Sequence, residues 1–337
     1  MVSATAELYT LASMSSLKNK RIVVTGGAGF VGRVVIDRLH ALGVDAENIF
    51  VPRRKDFDLT READAARLYK EAFGGPGRVD VVIHLAAEVG GIGANRENPG
   101  RYFFANMAMA MHLIEQARVD GLHAREGAKF VQIGTICSYP KFTPVPFSEE
   151  NIWNGYPEET NAPYGVAKKA AGQMLDAYRL QYGLKSAYVL PVNLYGPHDN
   201  FDPYSSHVIP ALIRKVVEAQ RAGKPSVECW GTGSASREFL YVDDVADGIV
   251  RAAEVMEEPT PINLGAGFEI TIKDLVMLIA RLCDYRGGIV WDTTKPDGQP
   301  RRCLSTEKAA RLLGWRAKVG FEDGLLRTIE WWKVNGK

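Results

Sequence analysis

Apolar residues in this chain follow two rhythms. Arg21–Thr25 (RIVVT), 49–51 (IFV), 81–86 (VVIHLA), 130–134 (FVQIG) and 187–192 (AYVLPV) are short continuous runs, rich in β-branched residues. Such runs read as strands buried on both faces. Residues 30–42, 61–73, 102–118 and 164–182 instead carry their apolar residues at helical spacing. Strand and helix alternate, which predicts an α/β fold: a Rossmann-like, doubly wound parallel sheet with right-handed crossovers. After about residue 195 the loops become rich in Pro, Gly, Asn and Ser. Residues 20–195 are therefore expected to form the large domain, with 237–267 returning to it as 237–254 and 262–267. Residues 196–236 and 268–337 are expected to form a smaller C-terminal, substrate-binding lobe over the strand ends, where open α/β sheets bind ligands.

Composition acts on this picture by exclusion. A formal net charge of +1 offers no field for a nucleic acid or a membrane surface, so any basic cluster is local and suits a small anion. The four cysteines, Cys137, Cys229, Cys283 and Cys303, lack paired spacing. That fits a reducing, cytoplasmic setting and gives neither a disulfide framework nor a metal site. No apolar run approaches the roughly 18 residues of a membrane span. Residues 1–19 lack the basic start and apolar stretch of a signal peptide and are expected to be a flexible leader.

Three motifs carry chemistry. Thr25-Gly26-Gly27-Ala28-Gly29-Phe30-Val31-Gly32 follows a strand and opens a helix. Glycines at 26, 29 and 32 let backbone approach a pyrophosphate at the helix N-terminus. A strand then ends in Val51-Pro52-Arg53-Arg54-Lys55, where an NAD site would place an acid. Cations there suit a ribose 2′-phosphate, so the expected cofactor is NADP(H), with Asp58 beside the adenine amino group. The third motif is Tyr164-Gly165-Val166-Ala167-Lys168. Four residues apart on a helix, Tyr164 and Lys168 share a face. A free tyrosine titrates near about 10, and a neighbouring ammonium is expected to lower it and activate the hydroxyl. The same lysine can hold the nicotinamide ribose. Tyr-x-x-x-Lys alone is weak; about 130 residues after the glycine turn, and behind a strand ending in Thr135, it is a strong signal.

The order of TGGAGFVG, HLAA (84–87), Thr135, YxxxK and NLYGP (193–197) resembles the extended short-chain dehydrogenase/reductase family of nucleotide-sugar enzymes. Within it, HLAAEVGGIGAN (84–95), GTICSYPK (134–141), NAPYGVAKKAAG (161–172), NLYGPHDNFDP (193–203), SSHVIPALIRK (205–215), WGTGSASREFLYVDD (230–244) and KPDGQPRR (295–302) resemble one subgroup. Its members turn GDP-4-keto-6-deoxy-D-mannose into GDP-L-fucose by C3/C5 epimerisation and C4 reduction. The resemblance implies that Leu85, Ala86 and Ala87 border the cofactor. It further implies that Cys137 and His207 exchange protons at sugar carbons 3 and 5, and that Thr135 and Tyr164 bond the C4 carbonyl. Chemistry supports the set: the 4-keto group acidifies its neighbouring C–H bonds, and a thiol near about 8.5 and an imidazole near about 6.5 are tunable to neutrality. By the same resemblance Arg237, Lys215 and Arg302 are cations for the diphosphate, Trp230 borders the sugar nucleotide, Asn193 contacts substrate, and a GDP-sugar is the partner. A homodimer through the helices at about 102–118 and 164–182 is likewise implied.

This chain departs from the subgroup at Thr135, Ile136, Ser138, Lys215 and Arg302. Those departures leave the C5 substituent and the extent of epimerisation open. A related 4-keto GDP-sugar, such as a heptose or a 3,6-dideoxy sugar, is the first alternative. A nucleotide-sugar 4-epimerase or 4,6-dehydratase would need no Cys/His pair, and a non-catalytic NADP(H) sensor would need neither Tyr164 nor Lys168.

Overall fold

The computed structural model describes residues 16–295 and 297–336. The N-terminal half runs β1 (Ile22–Thr25), α1 (Phe30–Ala41), β2 (Ile49–Phe50), α2 (Glu62–Glu71), β3 (Val81–His84), α3 (Ile92–Glu97), α4 (Pro99–Val119), β4 (Lys129–Ile133), α5 (Ala162–Tyr182) and β5 (Ser186–Pro191). The remainder runs β6 (Asn193–Tyr195), α6 (Val208–Arg221), β7 (Ser226–Trp230), β8 (Ser236–Arg237), β9 (Phe239–Tyr241), α7 (Val242–Val255), β10 (Pro261–Leu264), β11 (Ile270–Thr271), α8 (Ile272–Leu282), β12 (Gly288–Asp292), β13 (Arg301–Arg302), α9 (Glu307–Leu313) and α10 (Phe321–Asn335).

Six strands pair in parallel in the order β10-β5-β4-β3-β1-β2. Neighbouring residues of one strand serve opposite faces, as the period of two requires. Val24, Ile83, Val131 and Val189 meet Val35 and Leu39 of α1 and Val245 and Ile249 of α7. Val23, Val82 and Phe130 meet Leu68 of α2, Leu113 of α4 and Leu175 of α5. Both faces are dry, so the strands read as continuous apolar runs rather than alternations. The winding direction reverses between β1 and β3, and the crevice at that switch point is where such a sheet takes ligands. A third core, with Ile213, Val216, Leu275, Ile279, Leu325 and Ile329 from α6, α8 and α10, builds the smaller lobe.

Three boundaries differ from the sequence reading. Residues 1–15 of the expected leader lie outside the described residues, whereas Leu17 is buried in the main core. In 237–254 the strand residues are Arg237, which ends β8, and Phe239–Tyr241, the strand β9, which pairs with β6 outside the six-stranded sheet. Val242 onward is α7, whose Val245, Ile249 and Ala252 form a helical stripe against the main core. The C-terminal segment does not all belong to the smaller lobe either. Leu304, Ala309, Leu313 and Trp315 join the main core, and the Trp315 indole donates to the Asp244 carbonyl at 3.1 Å.

Candidate active site

Gly26 has φ +71°, and a Cβ there would sit 2.7 Å from the Ala86 nitrogen; one on Gly32 would sit 2.2 Å from the Gly26 oxygen. Both neighbours are backbone and cannot step aside, so the turn accepts only glycine. Gly29 caps α1 without a side-chain bond, which leaves the first-turn N–H groups to an anion. The Leu85 N–H donates to the Thr25 carbonyl (3.1 Å) and the Ala86 N–H to the Thr25 hydroxyl (3.3 Å), stitching together the two strand ends at the switch point. Phe30, Val31, Leu85 and Ala87 line the adjoining cavity. This cradle fits a dinucleotide. Beyond β2, Arg53, Arg54 and Lys55 are exposed. Glu88 pairs with Arg54 (2.7 Å) and Arg101 (2.9 Å); among the described residues no ion pair holds Arg53 or Lys55. Asp58 takes the Thr60 N–H and hydroxyl at 3.2 and 2.7 Å, so its carboxylate also shapes its own turn.

Tyr164 and Lys168 are buried one turn apart on α5. A Cβ on Gly165 would fall 2.1 Å from the Cys137 carbonyl oxygen, and the Ser138 hydroxyl donates to the Gly165 carbonyl at 3.0 Å. The helix is thereby clamped to the short turn Ile136–Ser138, whose N-cap Thr135 accepts the Cys137 N–H at 3.2 Å. As a result Thr135, Cys137, Tyr164, Lys168 and His207 all line one cavity of about 610 Å³. Burial raises the Tyr164 phenol well above its usual value; Cys137 and Tyr188 add to this, and the Thr135 hydroxyl pulls the other way. Burial also pushes Lys168 down to about 8. The lowering of Tyr164 expected from Lys168 does not appear; burial dominates, and Tyr164 rests as a neutral phenol, a proton donor. His207, the N-cap of α6 in an extended conformation, is lowered by burial. Beneath the site, His84 Nδ1 lies 2.7 Å from the Thr25 hydroxyl, and burial, then Lys168, keeps this imidazole neutral.

The facing wall comes from the smaller lobe. β8 and β13 pair in parallel with Arg237 opposite Arg302. Arg237 donates to the Ser236 and Asp297 carbonyls at 2.7 and 3.3 Å. Burial, then repulsion from Arg302, brings its guanidinium down to about 10. Arg302 Nε donates to Gln299 Oε1 at 2.7 Å, and its Nη1 lies 3.8 Å from Cys137 Sγ. Lys215 donates to the Glu228 carbonyl at 3.2 Å, with its ammonium 5.7 Å from the Trp230 ring centre. Trp230 is 56% exposed at the end of β7, at the cavity wall rather than in the core. Asn193 also lines the cavity, and its amide donates to the Glu238 carbonyl at 2.9 Å, so part of its task is to fix β6.

Four groups escaped the sequence reading. Gly165 and Ser138 form the clamp. Asp297 takes the Thr232 N–H and hydroxyl at 2.7 and 2.8 Å and borders the Arg237 pocket. Asp199, also in the cavity wall, has one carboxyl oxygen buried without a partner, and burial lifts the group to about 7. Asp199 and Asp297 lie inside the blocks NLYGPHDNFDP and KPDGQPRR, which were signal enough to single them out. Cys229, Cys283 and Cys303 are free and buried. Among the described residues no His/Cys/Asp/Glu group could hold a metal, and no helix is long and apolar enough to cross a membrane.

Residues 22–265 match the model of the NAD dependent epimerase/dehydratase family. The chain is 38% identical over 324 residues to a probable GDP-L-fucose synthase 1 of Oryza sativa subsp. japonica, covering 96% of this chain and 95% of the relative. It is 36% identical over 328 residues to the GDP-L-fucose synthase of Escherichia coli (strain K12), covering 95% and 98%. Among solved structures it is similar to a GDP-L-fucose synthetase from Naegleria fowleri bound to NADP. The TM-score is 0.83 and the identity 26%, with 94% of this chain and 95% of that one covered.

Proposed function

This chain belongs to the NAD dependent epimerase/dehydratase family, and from that premise we propose that it is an NADPH-dependent epimerase/reductase converting GDP-4-keto-6-deoxy-D-mannose to GDP-L-fucose. The observation that carries this reading is the single cavity wall shared by Thr135, Cys137, Tyr164, Lys168 and His207. A reductase alone needs only the phenol and the lysine. The added thiol and imidazole are what inversion of carbons beside a ketone requires: one group to take a proton, and another to return it on the opposite face. One group must take a proton and the other must give one, so epimerisation should follow a bell-shaped pH profile.

The remaining residues take their parts from position. The Thr135 hydroxyl holds the C4 oxygen. The glycine turn, Arg53 at the 2′-phosphate, Asp58 at the adenine and Lys168 at the nicotinamide ribose would hold NADPH, which would supply the hydride for reduction at C4. Tyr164 gives its proton to the C4 oxygen, and the Lys168 ammonium then faces the resulting phenolate. Arg237 and Lys215 hold the diphosphate, Trp230 borders the nucleotide, and Asn193 keeps the floor of the site in place. Residues 20–195 thus serve the cofactor and the smaller lobe serves the GDP-sugar. The free thiols fit a reducing, cytoplasmic compartment, and the assembly is a homodimer through α4 and α5.

The test is incubation with NADPH and GDP-4-keto-6-deoxy-D-mannose in deuterated water, with the product read by NMR. GDP-L-fucose deuterated at C3 and C5 is expected, and any other sugar overturns the substrate assignment. Cys137→Ala should abolish deuterium incorporation; exchange at the wild-type rate would remove Cys137 from the mechanism.

A further inference from the structure

We propose that Arg302 is a positioning residue for Cys137: braced by Gln299, its guanidinium holds the sulfur as a thiolate and fixes it towards the sugar. This goes beyond a diphosphate cation and rests on reading Cys137 as a proton-exchanging group. The support is a continuous chain of contacts. Gln299 Nε2 donates to the Lys141 carbonyl at 2.6 Å, and its Oε1 accepts Arg302 Nε at 2.7 Å. Arg302 Nη1 then lies 3.8 Å from Cys137 Sγ. Both ends of the Gln299 amide are engaged, which fixes the guanidinium it braces. A lysine could supply charge at this position, but it lacks the second donor that lets a fork be braced while it points elsewhere.

The local charge agrees. Arg237 stands beside Arg302 in the paired strands β8 and β13. Glu158 and Asp297 are the acids that oppose them; the Glu158 carboxylate is already bonded by the Thr160 hydroxyl (2.6 Å) and the Asn161 amide (2.7 Å), and that of Asp297 by the Thr232 N–H and hydroxyl. Tyr164, which also feels the charge of the sulfur, is neutral. Both carboxylates are engaged elsewhere, and the charged group in contact with Sγ is the Arg302 guanidinium, the setting in which a cysteine is held as thiolate. In the epimerisation step the thiolate takes the proton from carbon, an S–H bond forms, and the electron pair remains in the enolate. His207, in its protonated form, returns a proton to the opposite face, against the lowering that burial imposes on it.

Alkylation of Cys137 by neutral iodoacetamide, followed by peptide mass spectrometry, reads thiolate directly and needs no sugar. The other three cysteines are buried and serve as slow internal controls. An opposite charge this close is worth about one to three pH units. Arg302→Met should therefore slow Cys137 alkylation at neutral pH by about tenfold or more and move the rate–pH profile to higher pH. Arg302→Lys, which keeps the charge, should restore part of the rate, and Gln299→Ala should fall between wild type and Arg302→Met. NADPH binding, followed by fluorescence, identifies any variant that has not folded, and the lysine variant then carries the test. Wild-type alkylation in Arg302→Met, with an unmoved profile, overturns the proposal even if turnover falls, and leaves Arg302 a ligand for the diphosphate. A slowed alkylation in a protein that epimerises no sugar supports the thiolate role and refutes the proposed function alone.

Discussion

Lys168 is buried at the end of a helical turn with burial as its one resolved perturbation, and that lowers its ammonium to about 8. The charge is therefore present below about pH 8 and lost above it, two units or so earlier than for a free lysine. Reduction of the keto group should decline as pH rises through about 8, while deuterium exchange at C3 and C5 does not follow that limb. Parallel pH profiles for the two half-reactions would contradict this. Replacing Lys168 by Met should cost reduction about 10²–10⁴-fold and at the same time raise the melting temperature at neutral pH, since a buried ammonium no longer has to be accommodated. The sign follows from linkage: with the folded value below the unfolded one, the wild-type lysine opposes folding while charged and stops doing so as pH climbs from about 8. Spacing along the chain revealed that Tyr164 and Lys168 share a face. It could not reveal their protonation, because burial rather than the neighbouring charge decides it. Likewise Arg302 was readable as a cation, but not its contact with a sulfur 165 residues away.

At the scale of elements, the clamp between α5 and the Cys137 turn decides whether the site exists. Gly165→Ala sets two effects against each other. Alanine gains about 1 kcal/mol of helix propensity, but its Cβ would sit 2.1 Å from the Cys137 carbonyl oxygen, a backbone atom held by its own turn. Overpacking of that kind costs about 1–3 kcal/mol, so the steric term wins. The expected result is a lower melting temperature with epimerisation and reduction lost together, because the displaced helix carries Tyr164 and Lys168 away from Thr135 and Cys137. A variant as stable and active as wild type would show that α5 can slide. The strands of the sheet were legible because burial on both faces makes each an unbroken apolar run. Within the segment 237–254 expected to return to the large domain, the apolar run FLYV continues from strand into helix with no polar residue to mark the change, and Val242 is already the first residue of α7. Helix α9 was left to the smaller lobe because only Ala309 and Leu313 mark its buried stripe, too few apolar positions to say which core they meet.

At the scale of the whole molecule, the unresolved account is the outer face of α4 and α5, whose inner faces lie on the sheet. Phe104 is 62% exposed, Val119 59% and Leu180 74%, with Phe103 and Met111 exposed nearby on α4. Scattered exposed apolar residues need no explanation, but several on one helix pair do. A two-fold dimer would cover the face with its own copy, since a self-complementary patch closes without exposing another. A formal net charge of +1 sets little repulsion against two copies meeting. Light scattering should give the wild type twice the chain mass. Phe104→Glu should give a monomer that still binds NADPH, with reduced thermal stability because α5 loses its cover. If the wild type is monomeric, the face has another role; if the glutamate variant remains a dimer, the two copies meet elsewhere.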